Sequence, residues 1–103
     1  MNQVFLSGVT TGRLLTRTAE GKIEQAEFSI LVRSRSQNEL RRKDRYVIQC
    51  GGGLAEWAAK HYEAGRLASI TGHLQQNAGV AIIAREMVLG ERVKKETDAG
   101  ETA

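Results

Sequence analysis

The sequence predicts an all-β fold, a small β-barrel of five strands with one helix, in the order β-β-β-α-β-β. Three observations carry that expectation. The chain has 103 residues, enough for one domain and too few for two. It holds 11 glycines and no proline, so bends and bulges come easily and backbone N–H groups stay available to a sheet ladder. Apolar residues alternate with polar ones in the clearest strand segments, and the period lengthens to that of a helix at one place only.

Taken in order, Gln3–Gly8 reads as the first strand, bounded by Gly8 and by the turn material Thr10-Thr11-Gly12. Glu20-Gly21 reads as a turn, followed by a strand over Gln25–Arg33 with Lys22 as its earliest start. In this strand Ala26, Phe28, Ile30 and Val32 alternate with Glu27, Ser29, Leu31 and Arg33. Ser34–Asp44 is polar and without apolar periodicity, and reads as an exposed loop. Arg45–Cys50 is the third strand, with Tyr46, Ile48 and Cys50 on one face. Gly51-Gly52-Gly53 is a joint into the helix Leu54–Ala64, where Leu54, Trp57, Ala58 and His61 form a stripe and Gly65 is the natural stop. Arg66–Leu74 and Val80–Leu89 are the last two strands, joined by the turn Gln75-Gln76-Asn77-Ala78-Gly79. Residues 1–90 form one domain on this reading, and the polar segment 91–103 is expected to be a disordered tail. The order is that of the oligonucleotide/oligosaccharide-binding (OB) barrel, a five-stranded Greek key.

Composition excludes several function classes. No apolar run approaches the ~20 residues of a membrane span, so no membrane association is expected. The N-terminus lacks the basic and apolar regions of a secretory signal. A single cysteine, Cys50, gives neither a disulfide framework nor a multi-cysteine zinc site, and a reducing cytoplasmic location, nucleoid-associated, is expected. His61, His73 and Cys50 lack metal-ligand spacing, so no metal is expected. Gly51–Gly53 has neither a Gly-Lys-Ser/Thr continuation nor a spaced G-x-G-x-x-G, so no nucleotide cofactor is expected. No nucleophile, base and orienting group come together. Catalytic residues are therefore not assigned, and the chain reads as a binding protein rather than an enzyme.

Charge is more informative. The chain carries a net charge of +3. Between residues 33 and 45, Arg33, Arg35, Arg41, Arg42, Lys43 and Arg45 face only Glu39 and Asp44, a local excess of +4. Such a cluster releases counterions from a phosphate backbone, and arginine also stacks on bases. Arg13, Arg17 and Lys22 form a second basic group around the first hairpin. The ordinary alternative for both groups is a solvated surface. Trp57 and Phe28 lie on apolar stripes and are assigned to the core with Tyr62, while Phe5 and Tyr46 are assigned to packing or an interface.

The residues also carry a resemblance. MNQVFLSG, Gln25-Ala26-Glu27-Phe28-Ser29-Ile30, Gly52-Gly53-Leu54-Ala55-Glu56, Tyr62-Glu63-Ala64-Gly65-Arg66 and Gly72-His73-Leu74 stand in register over roughly residues 1–90. Together they resemble the bacterial single-stranded DNA-binding protein family. The length also makes the chain similar to the smaller primosomal replication protein N-like members. The resemblance implies an OB fold, single-stranded DNA as partner, roles in replication, repair or recombination, and a homo-oligomer (dimer or tetramer). The oligomer would be built on the first strand around Asn2, Gln3, Val4, Phe5 and Leu6. Ser36, Arg45 and Gly51 stand where the family commonly carries base-stacking aromatics, and none supplies a ring. The hairpin near Gln75-Gln76-Asn77 lacks the family's long aromatic loop, and the chain ends DAGETA without an acidic Pro-Phe tip. A second reading is therefore an OB adaptor for replication or primosome proteins that has lost most base stacking.

Overall fold

The computed structural model describes residues 2–34, 42–76 and 79–93. It contains β1 (Val4–Ala19), β2 (Lys22–Ser34), β3 (Arg42–Gly51), α1 (Gly52–His61), β4 (Arg66–Gln76) and β5 (Val80–Arg92). The strands close in the order β1-β2-β3-β5-β4, so the fold is the five-stranded OB barrel that the element order predicts. All pairings are antiparallel except β3–β5, which is parallel and shows only Ile48↔Ile82 and Gln49↔Ile83.

Period-2 burial builds the interior. Ala26, Phe28 and Ile30 on β2, Ile48 and Cys50 on β3, Ala68 and Ile70 on β4, and Ile82 and Ala84 on β5 all point inward and are buried. The helix closes one end through Ala55 and Ala58, whose small side chains let its backbone come close. Leu54, Trp57 and Tyr62 are partly buried around that contact, and the rings of Phe28 and Tyr62 lie 5.2 Å apart. Tyr46 also packs against the core. Gly72 sits where β4 meets β5, and an added Cβ would lie 1.9 Å from the Ile83 carbonyl oxygen, so only glycine fits.

Several boundaries differ from the sequence reading, each for a physical reason. The first strand does not end at Gly8. Thr10–Gly12 is not a turn but the middle of a 16-residue strand. Val4–Val9 pair with β4, whereas Val9–Ala19 pair with β2, so β1 changes partner at Val9. A register shift between Thr11 and Leu15, where Gly12 has φ +75°, hides this continuity from a period-2 search. The turn at Glu20-Gly21 stands as expected, with positive φ at both residues. β2 and β3 run further into the expected 34–44 loop, to Ser34 and from Arg42. The helix begins at Gly52 and stops at His61, with Tyr62 in extended conformation; Gly65 lies in the following turn. His61 is exposed, and Ala55 takes the buried place expected of it. β4 and β5 extend to Gln76 and Arg92. Asn77, Ala78 and residues 94–103 lie outside the described residues.

Thr10 locks the bend in β1. It is 1% exposed, and its hydroxyl donates to the Glu63 carbonyl at 2.6 Å and accepts from the Arg66 N–H at 3.0 Å. Its own carbonyl accepts from the Gly65 N–H at 2.8 Å, and Gly65 in turn accepts from Val93 at 2.7 Å. Thr10→Val keeps the shape and the backbone bonds, but leaves the Glu63 carbonyl and the Arg66 N–H without the hydroxyl, at a cost of about 1–3 kcal/mol. Thermal unfolding is expected to fall by roughly 4–8 °C per kcal/mol lost, with Thr10→Ser recovering most of it.

Candidate nucleic-acid interface

Because β2 and β3 bury alternate residues, the intervening ones share the outer face of the β1–β2–β3 sheet. Register then sets the rows: Arg33↔Lys43, Val9↔Leu31↔Arg45, Thr11↔Ser29↔Val47, Leu15↔Glu27↔Gln49 and Arg17↔Gln25↔Gly51. Arg33, Lys43 and Arg45 meet at one end of this face, and Arg17 stands at the other. All four are exposed. The predicted cluster is therefore a strand-borne group, not only a loop. Arg33 and Lys43 each hold a contact within the chain as well.

The remaining predicted residues are distributed as follows. Lys22 opens β2 beside the hairpin turn, and Arg13 lies in the β1 irregularity; both are exposed. Arg42 opens β3 opposite Ser34. Arg35 and Arg41, with Ser36, lie outside the described residues. Beside the basic end, Val9, Thr11, Leu31 and Leu67 line a concavity of about 630 Å³ with Arg33 and Lys43 at its edge. Charge and aliphatic surface are thus continuous there. Among the described residues these rows carry no aromatic side chain: Phe28 and Tyr46 pack inward or against the core, Trp57 and Tyr62 belong to the helix end, and the exposed Phe5 lies further along β1, where it pairs with β4.

Sequence reading did not single out Glu27 and Gln49. They are partly buried and directly opposite each other, and the Gln49 Nε2 donates to the Glu27 Oε1 at 3.0 Å. The parity of Glu27 in the Gln25–Arg33 pattern marked its face; its partner depended on the β2–β3 register.

The other reactive groups are structural. Burial pushes the Cys50 thiol pKa up from its ordinary value, which disfavours the nucleophilic thiolate. Burial also raises the Tyr62 phenol, opposed by a hydrogen bond with Thr10, and the phenol donates to the Thr11 and Gly12 carbonyls at 3.1 and 2.9 Å. No group of three or more His, Cys, Asp or Glu is placed to hold a metal among the described residues, and no helix there is long and apolar enough to cross a membrane.

On the first-strand segment, Val4 and Leu6 pack against the core, whereas Phe5 is 70% exposed. Asn2 clasps the Leu74 backbone, donating to its carbonyl at 2.8 Å and accepting from its N–H at 3.0 Å.

Comparison with solved structures places the fold among single-stranded DNA-binding proteins. A small single-stranded DNA-binding protein from Mycoplasma pneumoniae is 25% identical, with 85% of each chain covered and a TM-score of 0.62. The Plasmodium falciparum protein in complex with single-stranded DNA is 18% identical, covering 88% of this chain and 96% of its own, at a TM-score of 0.72. A small single-stranded DNA-binding protein from Streptomyces coelicolor is 15% identical, covering 84% and 90%, at a TM-score of 0.70. No protein-family model and no curated protein sequence matches the chain.

A thiol reagent such as a chromogenic disulfide is expected to label Cys50 only as fast as the barrel opens. Labelling that coincides with denaturant unfolding checks this; rapid labelling in native buffer would contradict the buried placement.

Proposed function

We propose that this chain binds single-stranded DNA along the outer face of β1–β2–β3, following the phosphate backbone rather than a sequence motif. The carrying observation is the convergence of Arg33, Lys43 and Arg45 at one end of a sheet face that Arg17 flanks at the other. Its fold, shared with single-stranded DNA-binding proteins, supports the same partner. Arg13 and Lys22 on the adjoining hairpin extend the track, and Arg35, Arg41 and Arg42 belong to the same basic stretch of sequence. With no rings to stack on, affinity rests on neutralised phosphates and aliphatic contact, so binding is weak at high salt. The chain acts as a binding module and not as an enzyme, with no cofactor, in replication, repair or recombination at the cytoplasmic nucleoid.

The test is fluorescence anisotropy of labelled oligo-dT at two salt concentrations, with duplex as control. Arg33→Ala, Lys43→Ala and Arg45→Ala together are expected to weaken binding and to flatten the log–log salt slope by about 2, at ~0.7 per lost phosphate contact. An unchanged slope would remove these residues from the interface.

Self-association belongs to the same reading. Val4–Gly8 pair with β4 on one edge, and β2 takes over only from Val9, so the other edge of this segment carries no strand among the described residues. The exposed Phe5 lies on this segment. A dimer or tetramer built on Asn2–Leu6 covers both features. Sedimentation at micromolar concentration is expected to show an oligomer that Phe5→Lys dissociates; a monomeric wild-type chain would refute it.

The second reading, an adaptor for replication or primosome proteins, is favoured by the ring-free face. Absence of single-strand binding at low salt would select it.

A further inference from the structure

The basic face carries a carboxylate one row in from its Arg17 end. Glu27 stands there, in the row Leu15↔Glu27↔Gln49, next to the row Arg17↔Gln25↔Gly51. A carboxylate among phosphate contacts repels the strand that those contacts attract. Phosphate binding therefore gives no account of it. Nor is it loosely placed: Glu27 is partly buried, and the Gln49 amide fixes its Oε1 at 3.0 Å. Leu15, Arg17, Gln25, Glu27 and Gln49 together line a concavity of about 200 Å³. Drug-sized ligands fill roughly 300–1,000 Å³, so this one suits a single flat heterocycle. Its lining is mostly hydrogen-bonding, with the exposed Leu15 as its apolar wall.

What such a pair recognises follows from donor and acceptor chemistry. An ionised carboxylate only accepts, whereas the Gln49 amide has two N–H groups, one of which is spent on Glu27. A base that fits must offer donors to Glu27 and an acceptor to the second Gln49 N–H. Guanine offers N1–H and N2–H side by side, with O6 adjacent. Cytosine offers one donor, N4–H, beside the N3 acceptor. Adenine also presents a single donor group, N6–H. Thymine presents N3–H between two carbonyl oxygens, which a carboxylate repels. Stacking on aromatic rings accepts every base, whereas hydrogen-bond readout does not.

We infer that Glu27 and Gln49 read the Watson–Crick edge of one guanine in the bound strand, so that this face adds a base preference to its phosphate track. The inference rests on single-stranded DNA binding by this face. Glu27 is the specificity-determining residue, Gln49 orients it and completes the match, and Arg17 holds the backbone alongside.

Competition anisotropy tests this with equal-length unstructured strands, all-dT against dT interrupted by isolated dG, in potassium-free buffer. The dG-containing strand is expected to bind at least about fivefold tighter. The near-isosteric Glu27→Gln removes the charge and one acceptor. Its expected signature is a gain in affinity for all-dT together with loss of the dG preference. Equal binding of the two strands by the wild-type chain overturns the inference and leaves the phosphate track standing. A dG preference that survives in Glu27→Gln overturns the role of Glu27. No binding of either strand at low salt overturns single-strand binding itself, and the base preference with it.

Discussion

One strand has to serve two neighbours, and the rest of the barrel depends on how it does so. β1 leaves β4 and joins β2 within a single residue, Val9. The bend exposes backbone groups from the 63–66 turn that no strand can pair, and the buried Thr10 hydroxyl satisfies them. A buried hydroxyl with its partners in place is inexpensive, and the same site without the hydroxyl strands several polar groups at once. The core residues on β2, β3, β4 and β5 can face one another only because this crossing closes the cylinder. Glu63 reinforces the corner from outside through an ion pair with Arg92 at 2.7 Å, but exposed pairs of this kind contribute little compared with the buried bond.

The face that β1 turns towards solvent beside β2 and β3 combines cations with aliphatic side chains. Such a surface holds a polyanion by charge density, and screening by salt acts on it directly. Aromatic platforms would make binding less sensitive to salt and indifferent to base identity. Where the described rows lack them, the proposed binding would lean on groups with direction, such as guanidinium forks and the Glu27–Gln49 pair.

How much of this was legible in the sequence depended on whether a residue's role is local. Gln25–Arg33 announced both its strand and its two faces, because alternate burial imprints a period of two. Cys50 and Ile48 followed for the same reason. The second half of β1 did not announce itself: past the irregularity at Gly12 most of its side chains are exposed, and backbone pairing rather than burial keeps Leu15–Ala19 extended. Of the helix stripe, Leu54, Trp57 and Ala58 pack as expected and His61 does not; Ala55 was missed because alanine carries a weak hydrophobic signal, yet its small side chain is fully buried. Among the site residues, the cations were visible as composition and the face of Glu27 as parity. That Gln49 stands opposite Glu27 is a matter of inter-strand register, which no local pattern encodes.

The seam between β3 and β5 is the shortest pairing in the barrel, with two aligned residue pairs. The sheet that carries the candidate interface and the β4–β5 hairpin are otherwise joined through β1. The molecule is therefore two ribbons hinged on a shared strand and latched by a short parallel clasp. Opening of that clasp breaks few hydrogen bonds while β1 still holds both ribbons, so Ile48, Gln49, Ile82 and Ile83 belong to the least protected part of the ladder. A strand bound across β1–β2–β3 stiffens one ribbon only, and the barrel keeps its capacity to breathe on the other side.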